Sequence, residues 1–231
     1  MFNQSINFRS VTFNLILINV LMYLVVNVIG ARMPGLEDAM VRNCALFYPA
    51  SPLFKPLQLV AHMFMQGGLG HIFGNMLALF MFGTVLERVW GPQRFLIFYF
   101  VTGFGAACLY MGVQALTVYN FTGSIHPSAE SVHEFSRVLQ IYTTPVLGAS
   151  GAVFGILVAF GMLFPNSEIM LLIFPVPIKA KYFVAGYFLI ELYQGIANHP
   201  GDEVAHFAHV GGALFGFILV KIWNRNRSTL Y

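Results

Sequence analysis

The chain is short of charge. Of its 231 residues only 9% are Asp, Glu, Lys or Arg, against about 25% in an ordinary soluble domain. Hydrophobic residues make up 58%, and mean hydropathy is +0.73. That balance excludes a water-soluble globular fold, because too few polar side chains remain to cover the apolar ones. The twelve Lys and Arg give a net charge of +3, but they are scattered, with no basic stripe interleaved with aromatics, so nucleic acid is excluded as a partner. Cysteine is nearly absent. Cys44 and Cys108 fall in a loop and in an apolar run, with the spacing of neither a disulfide framework nor a metal site. The zinc-peptidase pattern H-E-x-x-H is missing too, since the run from His133 to Arg137 breaks it at its last position. No repeat or low-complexity tract divides the chain, and one membrane domain spanning residues 1–231 is the economical count.

What the chain has in abundance is apolar helix. Six hydrophobic stretches are expected to cross or enter the bilayer: residues 11–29, 71–89, 94–116, 150–164, 182–196 and 204–223. The expected fold is an all-α, polytopic, six-helix membrane bundle. The first stretch is longer than the core of a signal peptide and has no clear small-x-small cleavage site, so it reads as a retained helix. A large outer loop covers 31–70, and its portion 52–66 mixes apolar residues with Lys55, Gln58 and His62, as a segment lying in the membrane interface does. Gly91-Pro92 closes the second helix, a polar loop covers 117–148, and a turn with two prolines and two lysines covers 174–181. With both termini inside, Arg9, Arg88, Arg94, Lys179, Lys181, Lys221, Arg225 and Arg227 are cytoplasmic, leaving Arg32, Arg42, Lys55 and Arg137 outside. Eight positive residues against four favour that orientation.

The fourth stretch is the unusual one. From Ser150 to Phe164 it is fifteen residues, roughly 22 Å of helix against a hydrocarbon core of about 30 Å. With its far end at one surface, Ser150 lies several ångströms below the other. Polar groups at such depth are costly unless they meet partners or water. Three others share the outer level: His209 in the sixth helix, and His71 and Asn75, whose spacing of four puts them on one face of the second. Together these residue types suit acyl transfer. A serine hydroxyl attacks once an imidazole takes its proton, and the resulting oxyanion needs donors, which His71, Asn75 and the Ser150 backbone N–H can supply.

Close helix approach is required as well. Gly151 and Gly155 follow the serine, while Gly212 and Gly216 follow the histidine, and small residues four apart let backbones meet in lipid. Phe154, one turn beyond Ser150, is the ring expected to pack on His209. No acid is placed to orient that imidazole, so the expectation is a dyad held by packing. Glu191, in the fifth helix, matches no motif. An acid inside a membrane helix is a candidate functional residue, with a structural role open beside it.

In combination, H-I-F-G-N, G-A-S-G and A-H-V-G-G-A-L-F-G resemble the rhomboid intramembrane serine proteases. The resemblance implies Ser150 as nucleophile, His209 as base, His71 and Asn75 at the oxyanion site, and Gly151, Gly212 and Phe154 in support. It implies hydrolysis of peptide bonds in the transmembrane segments of single-pass proteins, within a water-filled cavity, with no metal or organic cofactor. It also implies the compact bacterial form, in the cytoplasmic membrane with the site toward the outside. The fifth helix and the loop 198–203 are expected to move as substrate enters. Where many members carry a Trp-Arg pair before the second helix, this chain has Leu57 and Gln58; Glu87 matches a glutamate that steadies the first loop in relatives. Two other readings stand beside this one: a non-catalytic rhomboid-like protein that binds membrane clients, and a channel or transporter using His71, Asn75 and Glu191.

Overall fold

The computed structural model describes residues 10–170, 176–197 and 205–224. Outside the described residues lie the positive residues Arg9, Arg225 and Arg227, the Phe174 end of the two-proline turn, the loop 198–203 with His199, and Val204 at the expected start of the last helix.

The chain is built almost wholly of helices. Helix α1, Val11–Arg32, passes through a π-helical stretch at Leu24–Ile29 and ends in a 3₁₀ turn. A short amphipathic helix α2, Leu36–Cys44, and one helical turn, Gln58–Ala61, occupy the long first loop, which the charge count is expected to place outside. Helix α3 is Leu69–Trp90, α4 is Pro92–Thr122, and two short helices follow, α5 at Ala129–Glu134 and α6 at Ser136–Thr143. Helix α7 is Ser150–Leu163, α8 is Ala180–Ala197 and α9 is His206–Asn224. Between α7 and α8, strand β1 (Glu168–Ile169) pairs antiparallel with β2 (Ile178–Lys179). Among the described residues α1, α3, α4 and α9 are long and apolar enough to cross a membrane, and α7 is apolar but shorter.

One boundary departs from expectation. The third long helix does not stop near residue 116 but continues to Thr122, where Gly123 takes a left-handed φ of 72°. The hydroxyls of Thr117 and Thr122 turn back onto the carbonyls of Val113 and Val118, so these polar residues cost the helix no unpaired group. Val118 is fully buried against Val132, Val138 and Tyr142, contacts that exist only once α5 and α6 have folded beneath the outer loop.

Helix α7 is the centre of the bundle. Ten of its fourteen residues are buried, leaving no polar face, which is the pattern of a helix surrounded by others. Phe95, Phe98 and Tyr99 of α4, Leu79 and Leu86 of α3, and Ile156 and Leu163 of α7 form the main core. Large apolar residues point outward instead from α8, with Leu189, Tyr193 and Ile196 more than 60% exposed, as on a helix solvated by lipid.

Two side chains fix the loops that frame α7. Gln58 is fully buried: its Oε1 accepts from the N–H groups of Phe47 (3.3 Å) and Lys55 (3.1 Å), and its Nε2 donates to the carbonyls of Arg42 and Leu53 (2.9 Å each). The amide thus ties four backbone groups of this loop together, while Leu57 beside it stays exposed. Glu87 finds its partner at the start of α1, where its carboxylate accepts from the N–H groups of Val11 (2.8 Å) and Thr12 (2.9 Å) and from the hydroxyls of Ser10 (2.8 Å) and Thr12 (2.6 Å). Those amides have no intrahelical acceptor, and the negative charge sits at the positive end of the helix dipole.

Candidate active site

The segment before α7 is held on both sides. Leu46 and Val146 exchange two backbone hydrogen bonds of 2.9 Å, and the Gly148 N–H donates to the His62 carbonyl at 2.9 Å. Gly148 then adopts a φ of 130°, a conformation other residues avoid, and Ser150 opens the helix. A Cβ on Gly148 would lie 2.8 Å from His71 Cε1 and 3.4 Å from Ser150 Oγ. The first glycine of G-A-S-G is therefore required twice, by the backbone angle and by the two side chains it separates.

Ser150 Oγ and His209 Nε2 are 2.9 Å apart. The imidazole stacks on Phe154 with ring centroids 4.4 Å apart and planes inclined by 8°. Both contacts depend on glycine: a Cβ on Gly212 would run into the Gly151 carbonyl oxygen, and one on Gly216 would lie 2.8 Å from Gly155 Cα. On the neighbouring face of α9, a Cβ on Gly211 would lie 2.9 Å from Ala106 Cα, so α9 is wedged against α4 as closely as against α7. A small pocket lined by Leu147, Gly148, Ser150 and Ala205 opens beside the hydroxyl.

His71 accepts the Gly67 N–H on Nδ1 at 3.1 Å, which leaves its proton on Nε2, the nitrogen turned to Gly148. Asn75, one turn on, is buried and donates from Nδ2 to Gln66 Oε1 at 2.9 Å; Gln66 Nε2 in turn donates to Asn19 Oδ1 at 2.8 Å. One of the two amide hydrogens of Asn75 is thus engaged in a buried chain of amides that ties α1, the outer loop and α3 together. That chain is not announced by the sequence, where Asn19 is one of three asparagines in α1 and nothing marks it out from Asn14 and Asn27.

The larger correction concerns the acid. His209 is not held by packing alone, because Glu191 Oε2 lies 2.7 Å from His209 Nδ1 and also 2.7 Å from His206 Nδ1. The signal was present in the sequence: His206 and His209 are three apart, on one face of α9, and the intramembrane acid of the adjacent helix faces them. Glu191, His206 and His209 are the group of His and acidic side chains among the described residues whose ligand atoms converge, all within 4.8 Å. Their spacing is that of hydrogen bonds. Each His–Glu contact is 2.7 Å, shorter than the ~3.3 Å between donors around a zinc ion with bonds of ~2.0–2.1 Å.

A Rhomboid domain matches residues 54–226. RHOMBOID-like protein 12, mitochondrial, of Arabidopsis thaliana is 33% identical over 171 residues, covering 73% of this chain and 46% of that protein. Rhomboid protein 1, mitochondrial, of Saccharomyces cerevisiae is 27% identical over 167 residues, covering 70% of this chain and 40% of its own length. Rhomboid protease AarA of Providencia stuartii is 26% identical over 214 residues, 91% of this chain and 71% of that protein. The chain spans less than half the length of the two mitochondrial relatives. With four long apolar helices, three of which (α3, α4 and α9) pack on the short α7, and a family match over most of its length, this multi-pass membrane protein belongs to the rhomboid family.

Proposed function

We propose that the protein is an intramembrane serine endopeptidase that cuts transmembrane segments of single-pass membrane proteins, with Ser150 as nucleophile and His209 as base. The observation that carries this reading is the 2.9 Å contact between Ser150 Oγ and His209 Nε2 at the head of a helix too short to cross the bilayer. His209 Nε2 takes the hydroxyl proton as Oγ bonds to the scissile carbonyl carbon. The C–N bond then breaks as the imidazolium returns that proton to the leaving amine, and water, activated by the same nitrogen, releases the acyl group. The developing oxyanion is met by His71 Nε2–H, by the remaining amide hydrogen of Asn75 and by the N–H of Ser150, which as the first residue of its helix has no intrahelical acceptor. Likeness to the protease AarA supports proteolysis as the reaction. The chain functions as one domain and needs no metal or organic cofactor. Likeness to AarA of Providencia stuartii supports a bacterial cytoplasmic membrane, and the charge distribution supports both termini inside with the site toward the outer face.

Purified protein in detergent, given a tagged single-span substrate with small residues near the membrane surface, is expected to cleave it. Ser150→Ala is expected to abolish cleavage, and His209→Ala to reduce it to a small residual rate. A fluorophosphonate probe is expected to label Ser150 in the native protein and not after heat denaturation. Cleavage that persists unchanged in Ser150→Ala ends this assignment, and a chain that retains clients without labelling or cutting is a binding protein instead.

A further inference from the structure

Helix α8 buries only two residues, Ala180 at its start and Glu191 in its middle. Its neighbours Leu189 and Ile190 are 62% and 52% exposed, so the helix turns lipid-soluble side chains outward and its acid inward, where Glu191 is 4% exposed. An ionisable group at that depth is costly in isolation and is retained where partners offset the cost. The partners here are two imidazoles sharing one oxygen, His206 Nδ1 and His209 Nδ1, each 2.7 Å from Glu191 Oε2.

That arrangement determines a tautomer. A carboxylate oxygen only accepts, so both Nδ1 atoms carry hydrogen, and a neutral His209 then has its lone pair on Nε2, facing the Ser150 hydroxyl. The opposite tautomer would present an N–H to the hydroxyl and take no proton from it. Phe154 cannot make this choice. A stacked ring fixes the imidazole plane but tolerates a half-turn about the Cβ–Cγ bond and is indifferent to where the proton sits. The bond to Glu191 removes both ambiguities, and the second bond, from His206, holds the carboxylate in place. When His209 takes the serine proton it becomes a cation beside a carboxylate already aligned with it; the proton stays on the imidazole until it passes to the leaving amine, and Glu191 takes none.

We infer that Glu191, anchored by His206, is a positioning residue that sets the tautomer and orientation of His209, making the site a Ser150–His209–Glu191 triad. The inference rests on Ser150 acting as nucleophile. The isosteric Glu191→Gln variant replaces one acceptor by an amide group that can oppose Nδ1–H. In the full chain it is expected to lower kcat roughly a hundredfold or more, with KM within about twofold of the native value, because the lost interaction strengthens in the transition state. Glu191→Asp retains the carboxylate and is expected to recover at least about tenfold over Gln. In a His209→Ala background Glu191→Gln is expected to change residual turnover no further, since the residue acts through the ring that has been removed. A low-field Nδ1–H proton resonance is expected in the native protein, lost in His209→Ala and displaced in Glu191→Gln.

A Glu191→Gln enzyme within about threefold of native kcat overturns the inference, as does equal loss in Gln and Asp with intact melting. If the Gln variant fails to fold, the resonance in the native protein decides, and its absence overturns the inference. If the native chain neither cleaves nor labels, the nucleophile assignment has failed, and the same resonance still tests the hydrogen bond by itself.

Discussion

His62 donates from Nδ1 to the Gln58 carbonyl at 2.8 Å, and its own carbonyl receives the Gly148 N–H, so a single loop residue links the Gln58 network to the backbone that presents Ser150. Burial holds its pKa below the ordinary 6.5, and the bond to the Gln58 carbonyl offsets this only in part. The unfolded chain therefore binds a proton near pH 6.5 that the folded chain refuses until lower pH. The stability tied to neutral His62 is complete above about pH 6.5 and is lost as pH falls through the lowered folded value. His62→Asn keeps a donor in place of Nδ1 and does not titrate. Thermal melts from pH 7.5 down to 5 are expected to show a smaller acid-side loss in His62→Asn than in the native chain; parallel curves would remove His62 as the cause. At this scale the residues that meet at the proposed site were legible and their supports were not. Ser150, His209 and Phe154 announce themselves by chemistry and spacing within one or two helices. Glu191, Gln58 and Gln66 act through partners distant in sequence, and their side chains alone do not say which partner each meets.

Glycine decides how the elements meet. Helices α7 and α9 approach so closely at Gly151 and Gly212 that no side chain fits between them, and the dyad depends on that approach. Gly212→Val forces the pair apart, and a shift of about 1 Å at a reacting pair is enough to cost a hundredfold in rate. Cleavage is expected to fall at least that far, with stability down by about 1–3 kcal/mol from overpacking. Gly112→Ala on α4 is the matched control: a Cβ there meets nothing within 4 Å, so melting and turnover are expected to stay at native values. A Gly212→Val enzyme that cleaves at the native rate would show that the contact is not needed for the dyad. Both glycine pairs were legible beforehand because helical periodicity alone puts residues four apart on one face. Helix ends were less so. Nothing local to Thr117 or Val118 reveals that α4 continues, since the residues that bury Val118 come from α5 and α6 in the following loop.

Alternating helices sort the charges of the whole molecule onto two levels. Arg88 closes α3, Arg94 opens α4, Lys179 and Lys181 flank the start of α8, and Lys221 lies in the last turn of α9, so these five share one end of the bundle. Arg32, Arg42, Lys55 and Arg137 belong to the other end with the outer loop, which is hydrogen-bonded to the Ser150 segment. Five against four is a narrow margin; Arg9, Arg225 and Arg227, counted from sequence, widen it to eight against four. The prediction is that a fluorescent protein fused at the C-terminus matures in the bacterial cytosol, whereas alkaline phosphatase fused there is inactive and the same enzyme inserted at exposed Ser128, between α4 and α5, is active. The opposite pattern would move Ser150 to the inner face. Because α7 is about 21 Å long and begins at Ser150, the proposed nucleophile, that result would also move the expected cut from the outer to the inner third of a substrate helix, so fusion activity and mapped cleavage position must agree on one side of the membrane.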